Sequence, residues 1–435
     1  MNRIKAAFIG FTLALLGLWL LADTLPIGGA GTLPLGAAFT QLTGVLSIGM
    51  MSFGTLLSIR PKWLEPAFDG LDKMYRLHKW LGVSGLAIGI VHWLTATGDG
   101  HGPRSAQAAD LAGTPQSLLD SFRGPAHGVA QPALWVLIAL ITVALLKFIP
   151  YRFFAKTHIL VAILFGLLAF HSVVLMKAVY WTQPIGWATL ALVAIGVMST
   201  LIAVLRRFGL RTQATGTVVS TEYYPELRVL ETEMKVDGAW PGHEAGQFAF
   251  VTTDWREGPH PYTIATAWDP NDRRIGFIAK ELGDHTKKLR EHFTNGKPVR
   301  IEGPYGRFAF DDGKPRQIWI GAGIGITPFV AKMRQRANIA DTTIVDLFHS
   351  TADVSETALA KMRSDAAAAR VNLHITISGK DGKLSAARIR DAVPGWTDAS
   401  VWFCGPTGFG SALKRDFKAV GLHMADFHQE LFEMR

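Results

Sequence analysis

Four histidines stand in two apolar segments of the first half of the chain. His78 and His92 are fourteen residues apart, and His158 and His171 are thirteen residues apart. At a rise of about 1.5 Å per residue, a helix would separate the two rings of each segment by roughly 20 Å. Neutral imidazole is a common ligand of haem iron. Four rings at two depths therefore suit two haems, each iron clamped from both sides.

The alternative is packing alone, since a single intramembrane histidine is often a hydrogen-bonding residue between helices. Two matched pairs favour haem ligation. On an ideal helix a fourteen-residue step turns by about −40° and a thirteen-residue step by about −140°. His158 and His171 would therefore not share a face unless their helix bends or the haems are offset. Phe165, midway between them, is expected to lie between the haems, and His101 and His127 are expected to be solvated loop residues.

The histidine segments belong to a series of apolar runs. Apolar residues make up 49% of the 435 residues, with the excess in the first half. Crossing a bilayer takes about 20 apolar residues. Six runs approach that length: 6–22, 39–59, 77–96, 133–149, 158–176 and 184–205. We therefore expect a six-helix transmembrane domain over residues 1–207. Arg3 and Lys5 before the first run also fit a signal peptide, although no clear cleavage site follows.

Lysine and arginine are concentrated in alternate loops of this bundle. These loops follow the second, fourth and sixth runs, and the cationic residues in or beside them are Arg60, Lys62, Lys73, Arg76, Lys147, Arg152, Lys156, Arg206, Arg207 and Arg211. Cationic loops stay on the cytoplasmic side, so both termini of a multi-pass inner or plasma membrane protein are expected in the cytoplasm. The third and fifth helices then run parallel. His78 would face His158 near the inner face, and His92 would face His171 near the outer face.

The pattern changes after residue 207, where short β-type runs with turn signals begin. Four motifs follow in order: GQFAFV at 246–251, HPYTIAT at 260–266, FIAKELGDHTKKL at 277–289 and EGPYGRF at 302–308. Each of them alone is compatible with ordinary barrel sequence. The single cysteine, Cys404, excludes an intrachain disulfide. The net charge of +9 comes from residues that flank apolar segments, so no nucleic-acid partner is expected.

A glycine-rich turn follows an apolar strand pattern within residues 316–333. Gly321, Gly323 and Gly325 stand where the strand would end, and Thr327 and Pro328 open a helix. Glycines at a strand-to-helix turn let the phosphates of a dinucleotide approach the backbone. A plain tight turn is the alternative for a G-x-G-x-G pattern alone.

The order of these motifs resembles the ferredoxin–NADP reductase superfamily, in the variant of the ferric reductases and NADPH oxidases whose flavin motif opens with His-Pro. With the paired histidines, the resemblance covers nearly the whole chain. It implies an antiparallel β-barrel FAD domain over 208–312 and an α/β Rossmann-like NAD(P) domain over 313–435. The expected fold class is therefore a multi-domain membrane protein, with a six-helix bundle preceding these two domains.

The resemblance implies flavin contacts for two motifs of the barrel. Those expected to line the flavin are His260, Pro261, Tyr262 and Thr263. Those expected to bind the FAD pyrophosphate are Lys280, Gly283 and Thr286. Tyr262 would lie against the isoalloxazine, and Thr263 would approach its N5 side. A cation, a close-approach glycine and a hydroxyl before a helix also suit a diphosphate physically.

The resemblance also implies nucleotide contacts in the last domain. Besides the glycine-rich turn, they are Ser350 and Thr351 at the adenosine ribose and Cys404, Gly405 and Pro406 beside the nicotinamide. A C-terminal aromatic, Phe432 with Phe427 as the alternative, would stack on the flavin, although both could simply pack in the core. Cys404, Thr263 and Phe432 are thus the expected catalytic residues. No acid ends the strand at 342–351, although Asp353 is near. An acid there would favour NADH, so NADPH is expected.

The function implied by the resemblance is electron transfer from cytosolic NAD(P)H, through FAD and two b-type haems, across the membrane. Oxygen, giving superoxide, and ferric chelates, giving ferrous iron, are the expected acceptors. One alternative is a partner protein or a quinone as the acceptor. Another is a haem-free membrane anchor that carries an NAD(P)H diaphorase. No D-x-[DN]-x-[DN]-G loop is present in the sequence, so calcium control is not expected.

Overall fold

The computed structural model has two compact units, which divide between Phe208 and Gly209. It describes residues 2–23, 35–98, 115–146, 148–149, 151–205, 213–254, 258–282 and 286–430. Several residues named above lie outside these ranges: His101, Lys147, Arg206, Arg207, Arg211, Gly283 and Phe432.

The first unit is helical. Its helices are α1 (Asn2–Ala22), α2 (Leu35–Ser58), α3 (Glu65–Phe68), α4 (Leu71–Gly98), α5 (Arg123–Leu145), α6 (Tyr151–Val174) and α7 (Pro184–Val204). All but the short α3 are long and apolar enough to cross a membrane. This confirms the six predicted spans. Helix α2 makes extensive contact with α4 and α7, and α5 packs on α6.

Two predicted boundaries in this unit are wrong. Helix α4 begins at Leu71, so Lys73 and Arg76 lie in its first turns and not in a loop. Helix α5 begins at Arg123, so His127 is helical. In both cases the helix continues beyond its apolar stretch, because backbone hydrogen bonding does not stop where the hydropathy falls.

The second unit opens with a six-stranded antiparallel sheet. Its strands are β1 (Gln213–Tyr224), β2 (Val229–Asp237), β3 (Phe248–Thr252), β4 (His260–Thr263), β5 (Arg274–Lys280) and β6 (Pro298–Tyr305). They lie in the order β4-β3-β6-β1-β2-β5. An isolated bridge between Ile264 and Phe277 links the two edges of this sheet. The inner face is filled by a cluster of apolar side chains that includes Met234 and Ile301.

A five-stranded parallel sheet completes this unit. Its strands are β7 (Arg316–Ala322), β8 (Ile344–Thr351), β9 (Asn372–Ile377), β10 (Ala399–Cys404) and β11 (Phe427–Gln429). The helices of the unit are α8 (Leu289–His292), α9 (Thr327–Arg336), α10 (Glu356–Ala368), α11 (Ser378–Asp381), α12 (Ala386–Ala392) and α13 (Thr407–Ala419). The strand order is β11-β10-β7-β8-β9, with every pair parallel. Ligands of such sheets bind beyond the carboxyl ends of the strands, and β7, β8 and β10 end side by side.

Candidate functional site

The membrane unit brings the four histidine rings together in two pairs. His78 on α4 faces His158 on α6, with ring centroids 6.0 Å apart and ring planes at 76°. His92 faces His171 between the same two helices, at 6.2 Å and 84°. The pairing therefore joins residues that the sequence separates by about eighty positions.

Backbone carbonyls orient three of these rings. The hydrogen bonds run from Nδ1 of His78 to Gly54 O at 2.8 Å, of His92 to Thr40 O at 2.9 Å and of His171 to Ala126 O at 2.9 Å. A carbonyl oxygen only accepts, so Nδ1 must carry the proton and Nε2 keeps its lone pair. This arrangement is the usual one for a metal-bound histidine, whose second ring nitrogen donates to a carbonyl or carboxylate.

His158 differs from the other three rings. Its Nδ1 has no hydrogen-bond partner among the described residues. The ring is instead stacked on Phe154, one turn earlier in α6, with centroids 5.0 Å apart and an interplanar angle of 27°. The inner pair therefore has one ring held by a hydrogen bond and one held by an aromatic neighbour.

The two pairs fit a metal held from both sides. Imidazole nitrogens at roughly 2.0 Å from a common metal place their ring centroids about 6 Å apart, which is the separation found in both pairs. Among the described residues no cluster of three or more His, Cys, Asp or Glu side chains could hold a metal ion. Each pair of histidines would suit an iron whose other ligands come from a porphyrin ring.

Helix α6 carries both His158 and His171 and is continuous between them. It is α-helical throughout Tyr151–Val174, so the thirteen-residue spacing is not absorbed by an interruption of the helix. Phe165 is fully buried and turns towards α7, where a Cβ on Gly196 would lie 2.5 Å from its Cζ. Its position between two haems stays a prediction.

His127 corrects a smaller expectation. In place of a solvated loop, it lies in α5 with its ring centroid 6.4 Å from that of His171. Ala126, which precedes it, supplies the carbonyl that accepts from His171. The N-terminal turns of α5 therefore belong to the outer histidine site.

The predicted flavin residues of β4 lie at the edge of the antiparallel sheet. Tyr262 is 8% exposed, and its ring packs edge-on or tilted against Phe277 and Phe293 at 6.0 Å. Thr263 is buried and pairs with Phe248 on β3. Most of this ring is covered by the apolar cluster of the antiparallel sheet, and stacking of Tyr262 on an isoalloxazine ring stays a prediction.

The predicted pyrophosphate residues follow β5. Lys280, the last residue of that strand, forms an ion pair with Asp353 in which Nζ and Oδ2 are 2.7 Å apart. The Thr286 hydroxyl accepts a hydrogen bond of 2.7 Å from the Leu282 amide. Gly283 lies outside the described residues. The binding of FAD pyrophosphate by these three residues remains a prediction.

The glycine-rich turn joins β7 to α9. Gly323 has a φ of +57°, in the left-handed region that glycine tolerates best. A Cβ on Gly325 would lie only 2.3 Å from the Cys404 carbonyl oxygen, so this glycine is required for close packing on the end of β10. Thr327 begins α9, and its hydroxyl donates to the Ile324 carbonyl at 2.8 Å. Pro328 occupies the first turn of α9, where its missing N–H is tolerated.

The other predicted nucleotide residues lie at neighbouring strand ends. Ser350 is aligned with Ala322 at the end of β7, and Thr351 is the last residue of β8. Cys404 ends β10, where burial raises the pKa of its thiol and keeps it neutral. Gly405 and Pro406 then lead into α13. The structure thus collects these residues at the carboxyl edge of the parallel sheet.

The two aromatic candidates for flavin stacking fare differently. Phe427 begins β11, is 5% exposed and packs with Phe417 in the core beside the parallel sheet. This position agrees with core packing, which was one of the two expectations for this residue, and stacking of Phe427 on the flavin stays a prediction. Phe432 lies outside the described residues, so its role stays a prediction.

A cavity of about 100 Å³ lies between the antiparallel sheet and the carboxyl edge of the parallel sheet. It is lined by Gly323 and Thr351, and also by His349 and Asp353, which were not among the predicted nucleotide contacts. His349 is buried, and its Nδ1 donates to the Gly321 carbonyl at 3.2 Å. A histidine inside an apolar strand pattern carries no local signal that its side chain will line a cavity.

Comparison with known proteins agrees with this arrangement. Residues 43–169 match a family described as "Ferric reductase like transmembrane component", and residues 217–309 match an "FAD-binding domain" family. The first match contains all four paired histidines, and the second contains the HPYT motif and the residues after β5. Together the two matches follow the order of the two structural units.

Three relatives illustrate the range of similar proteins. An NADPH oxidoreductase of Mycobacterium tuberculosis is 29% identical over 200 residues, which are 43% of this chain and 52% of the relative. A superoxide-generating NADPH oxidase heavy chain of Dictyostelium discoideum is 28% identical over 227 residues, 45% of this chain and 40% of the relative. A vanillate O-demethylase oxidoreductase of Pseudomonas putida is 31% identical over 178 residues, 40% of this chain and 51% of the relative. The chain spans about half the length of these curated relatives.

The fold and the matched domains define a multi-span membrane protein with an FAD-binding domain and an α/β nucleotide-binding domain. Within that class, the chain is similar to the ferric reductases in residues 43–169 and to NADPH oxidases among its relatives.

Proposed function

We propose that the chain transfers electrons from NAD(P)H, bound on the cytoplasmic side of the inner or plasma membrane, through FAD and two haems to an acceptor on the other side. The observation that carries this proposal is the facing of the histidine rings in two pairs, at 6.0 and 6.2 Å. The cytoplasmic placement of both termini and of the FAD and nucleotide domains is supported by the cationic loops.

FAD, when bound, accepts a hydride and can release its electrons singly, and a six-coordinate haem takes up one electron at a time. The residues of the chain supply position. His78 and His158 would hold the inner haem, and His92 and His171 the outer haem. A helix that carries ligands fourteen residues apart sets these sites roughly 20 Å apart along its axis.

In the second unit, called the soluble unit below, residues at the strand ends would position the nicotinamide and the flavin and shield them. The buried Cys404 thiol is neutral and would lie beside the nicotinamide as a small apolar wall. Thr263 would offer a hydroxyl to the flavin N5 side, and Phe432 would cover the flavin until the nicotinamide displaces it. None of these residues has to act as an acid or a base, since hydride transfer requires alignment of the two rings.

The acceptor is proposed from chemistry and from the relatives. The name of the Dictyostelium relative describes superoxide formation, which favours oxygen, and the family of the bundle favours ferric chelates. The name of the Pseudomonas relative describes an O-demethylase oxidoreductase. That likeness favours, as a second candidate, delivery of electrons to a partner protein or a quinone.

The deciding experiment uses purified full-length protein loaded with FAD and haem. NADPH consumption is measured with oxygen or a ferric chelate offered separately, and dismutase-sensitive reduction of cytochrome c reports superoxide. Dithionite-reduced spectra should show b-type bands with about two haems per chain. Spectra without such bands, together with persistent diaphorase activity, would replace the proposal by the haem-free anchor.

A further inference from the structure

The ion pair between Lys280 and Asp353 joins the two parts of the soluble unit. Lys280 ends β5 of the antiparallel sheet, and Asp353 lies two residues beyond β8 of the parallel sheet. The lysine Nζ is 2.7 Å from the aspartate Oδ2. The Thr351 hydroxyl donates to the Asp353 carbonyl at 2.8 Å and so fixes the loop that carries the carboxylate.

The pair faces the predicted nucleotide site. Lys280 and Asp353 line the same cavity as Gly323 of the glycine-rich turn and Thr351 at the end of β8. In dinucleotide-binding folds, an acidic residue beyond this strand accepts hydrogen bonds from the ribose hydroxyls and repels a phosphate there. Asp353 is close to such a position, but its carboxylate already has a cation as partner.

Two cations, Lys280 and Arg228, act on the Asp353 carboxylate. The hydrogen bond and charge of Lys280 lower the pKa of the Asp353 carboxyl, and the charge of Arg228 in the β1–β2 turn lowers it further. One carboxylate thus faces two cations. Asp353 is 43% exposed and Lys280 20% exposed, so both side chains remain accessible to a ligand in the cavity.

We propose that the Lys280–Asp353 pair selects a dinucleotide with a phosphate on its adenosine ribose over one with free ribose hydroxyls. Lys280 occupies the carboxylate that would otherwise bind the hydroxyls, and its ammonium offers further donors to a phosphate monoester. The inference rests on the proposed function and deepens it by naming the residues that set nucleotide preference. It also assigns Lys280 to the nucleotide, whereas the sequence motif assigns it to the FAD pyrophosphate.

The test measures binding of NADP⁺ and NAD⁺ to purified full-length protein by calorimetry, and FAD content by absorbance after denaturation. Lys280→Met should lower the preference for NADP⁺ by about tenfold or more, since a hydrogen bond to a charged group contributes roughly that factor. Asp353→Asn should raise the preference for NADP⁺, because it frees Lys280 from its ion pair. Lys280→Arg, which keeps the charge, should retain most of the preference.

Lys418→Met is the matched control, because it removes one exposed lysine from the last turn of α13. It should leave both affinities and the FAD content unchanged.

Loss of FAD from Lys280→Met with an unchanged nucleotide ratio would overturn the inference and return this lysine to the pyrophosphate. An unchanged ratio in both Lys280→Met and Asp353→Asn would overturn it as well. If the wild-type protein binds neither nucleotide, the proposed function is overturned instead. If the protein holds no haem, the ratio of the NADP⁺ and NAD⁺ affinities can still be measured.

Discussion

Histidine is used differently in the membrane bundle and in the soluble unit. The bundle sets four rings in two facing pairs between α4 and α6. The soluble unit instead buries single rings, among them His243, which contacts the Thr266 carbonyl at 3.1 Å, and His349, which contacts the Gly321 carbonyl at 3.2 Å. Hydrogen bonds to carbonyls therefore occur in both units. The bundle differs in that its rings face each other in pairs. The proposed assignment of these histidines as haem ligands therefore rests on that feature.

The single rings of the soluble unit behave as neutral packing residues. Burial lowers the pKa of His243 and of His349 to about 4, with backbone hydrogen bonds opposing part of that shift. His243 also contacts Trp240 and Trp268. A neutral ring among aromatic side chains stabilises the fold and requires no ligand.

The largest expected effect comes from breaking one pair. His92→Ala should remove the outer haem, so that haem content falls to about one per chain and transmembrane reduction is lost. Reduction of FAD by NADPH should survive, because the soluble unit is intact. Haem quantification and stopped-flow spectra of the flavin check this outcome. His374→Gln, which removes a part-exposed histidine stacked on Phe348, is the control, and unchanged haem content in His92→Ala would contradict the relay.

Acid should destabilise the soluble unit through its single histidines. Their folded pKa of about 4 lies below the ordinary 6.5, so their contribution to stability is complete above pH 6.5 and is lost as the pH falls towards 4. The expected loss is about 1.4 kcal/mol per pH unit for each ring. Thermal unfolding of the full-length protein between pH 7 and 4.5 measures the slope. His243→Gln should reduce the slope by about 1.4 kcal/mol per pH unit, the contribution of one ring, and an unchanged slope would show that this ring does not titrate on unfolding.

Two glycines of α2 offer a matched test of the outer and inner pairs. A Cβ on Gly44 would lie 3.1 Å from Cε1 of His92, whereas one on Gly54 would lie 3.8 Å from Nδ1 of His78, an ordinary contact. Gly44→Ala should therefore displace the outer ring at a cost of about 1–3 kcal/mol, and Gly54→Ala should be tolerated. Electron paramagnetic resonance of the oxidised protein resolves the two haems. Equal perturbation by both variants would argue against the ring positions described above.

The smallest effect is expected at Phe154. Its stacking on His158 is worth about 0.5–1.5 kcal/mol, and this ring has no Nδ1 hydrogen-bond partner among the described residues. Phe154→Leu should speed haem loss from the inner site by a few-fold and leave the outer site unchanged. Haem transfer to excess apomyoglobin measures both rates. Phe11→Leu, whose ring packs on Phe53 in the same bundle, should alter neither rate.

Much of this arrangement could be predicted because it depends on local sequence. The six spans follow from apolar length alone, and the strand-to-helix turn follows from Gly321, Gly323 and Gly325 standing between an apolar strand pattern and a helix start. The helix starts at Leu71 and Arg123 could not be placed from hydropathy, since polar residues continue a helix that has already begun. The burial of Phe427 was also open, because an aromatic residue near a terminus fits a core as well as a cofactor face.

The sequence by itself determined the class of the protein: six apolar spans, two histidine spacings on two parallel helices, and the order of the flavin and nucleotide motifs. Tertiary structure alone decided the contacts between distant residues. It chose the carbonyls of Gly54, Thr40 and Ala126 as partners of the histidines, and Asp353 as the partner of Lys280. The physical reason is that hydropathy and turn chemistry act over a few neighbouring residues, whereas these hydrogen bonds and ion pairs join groups that only chain packing brings within 3 Å.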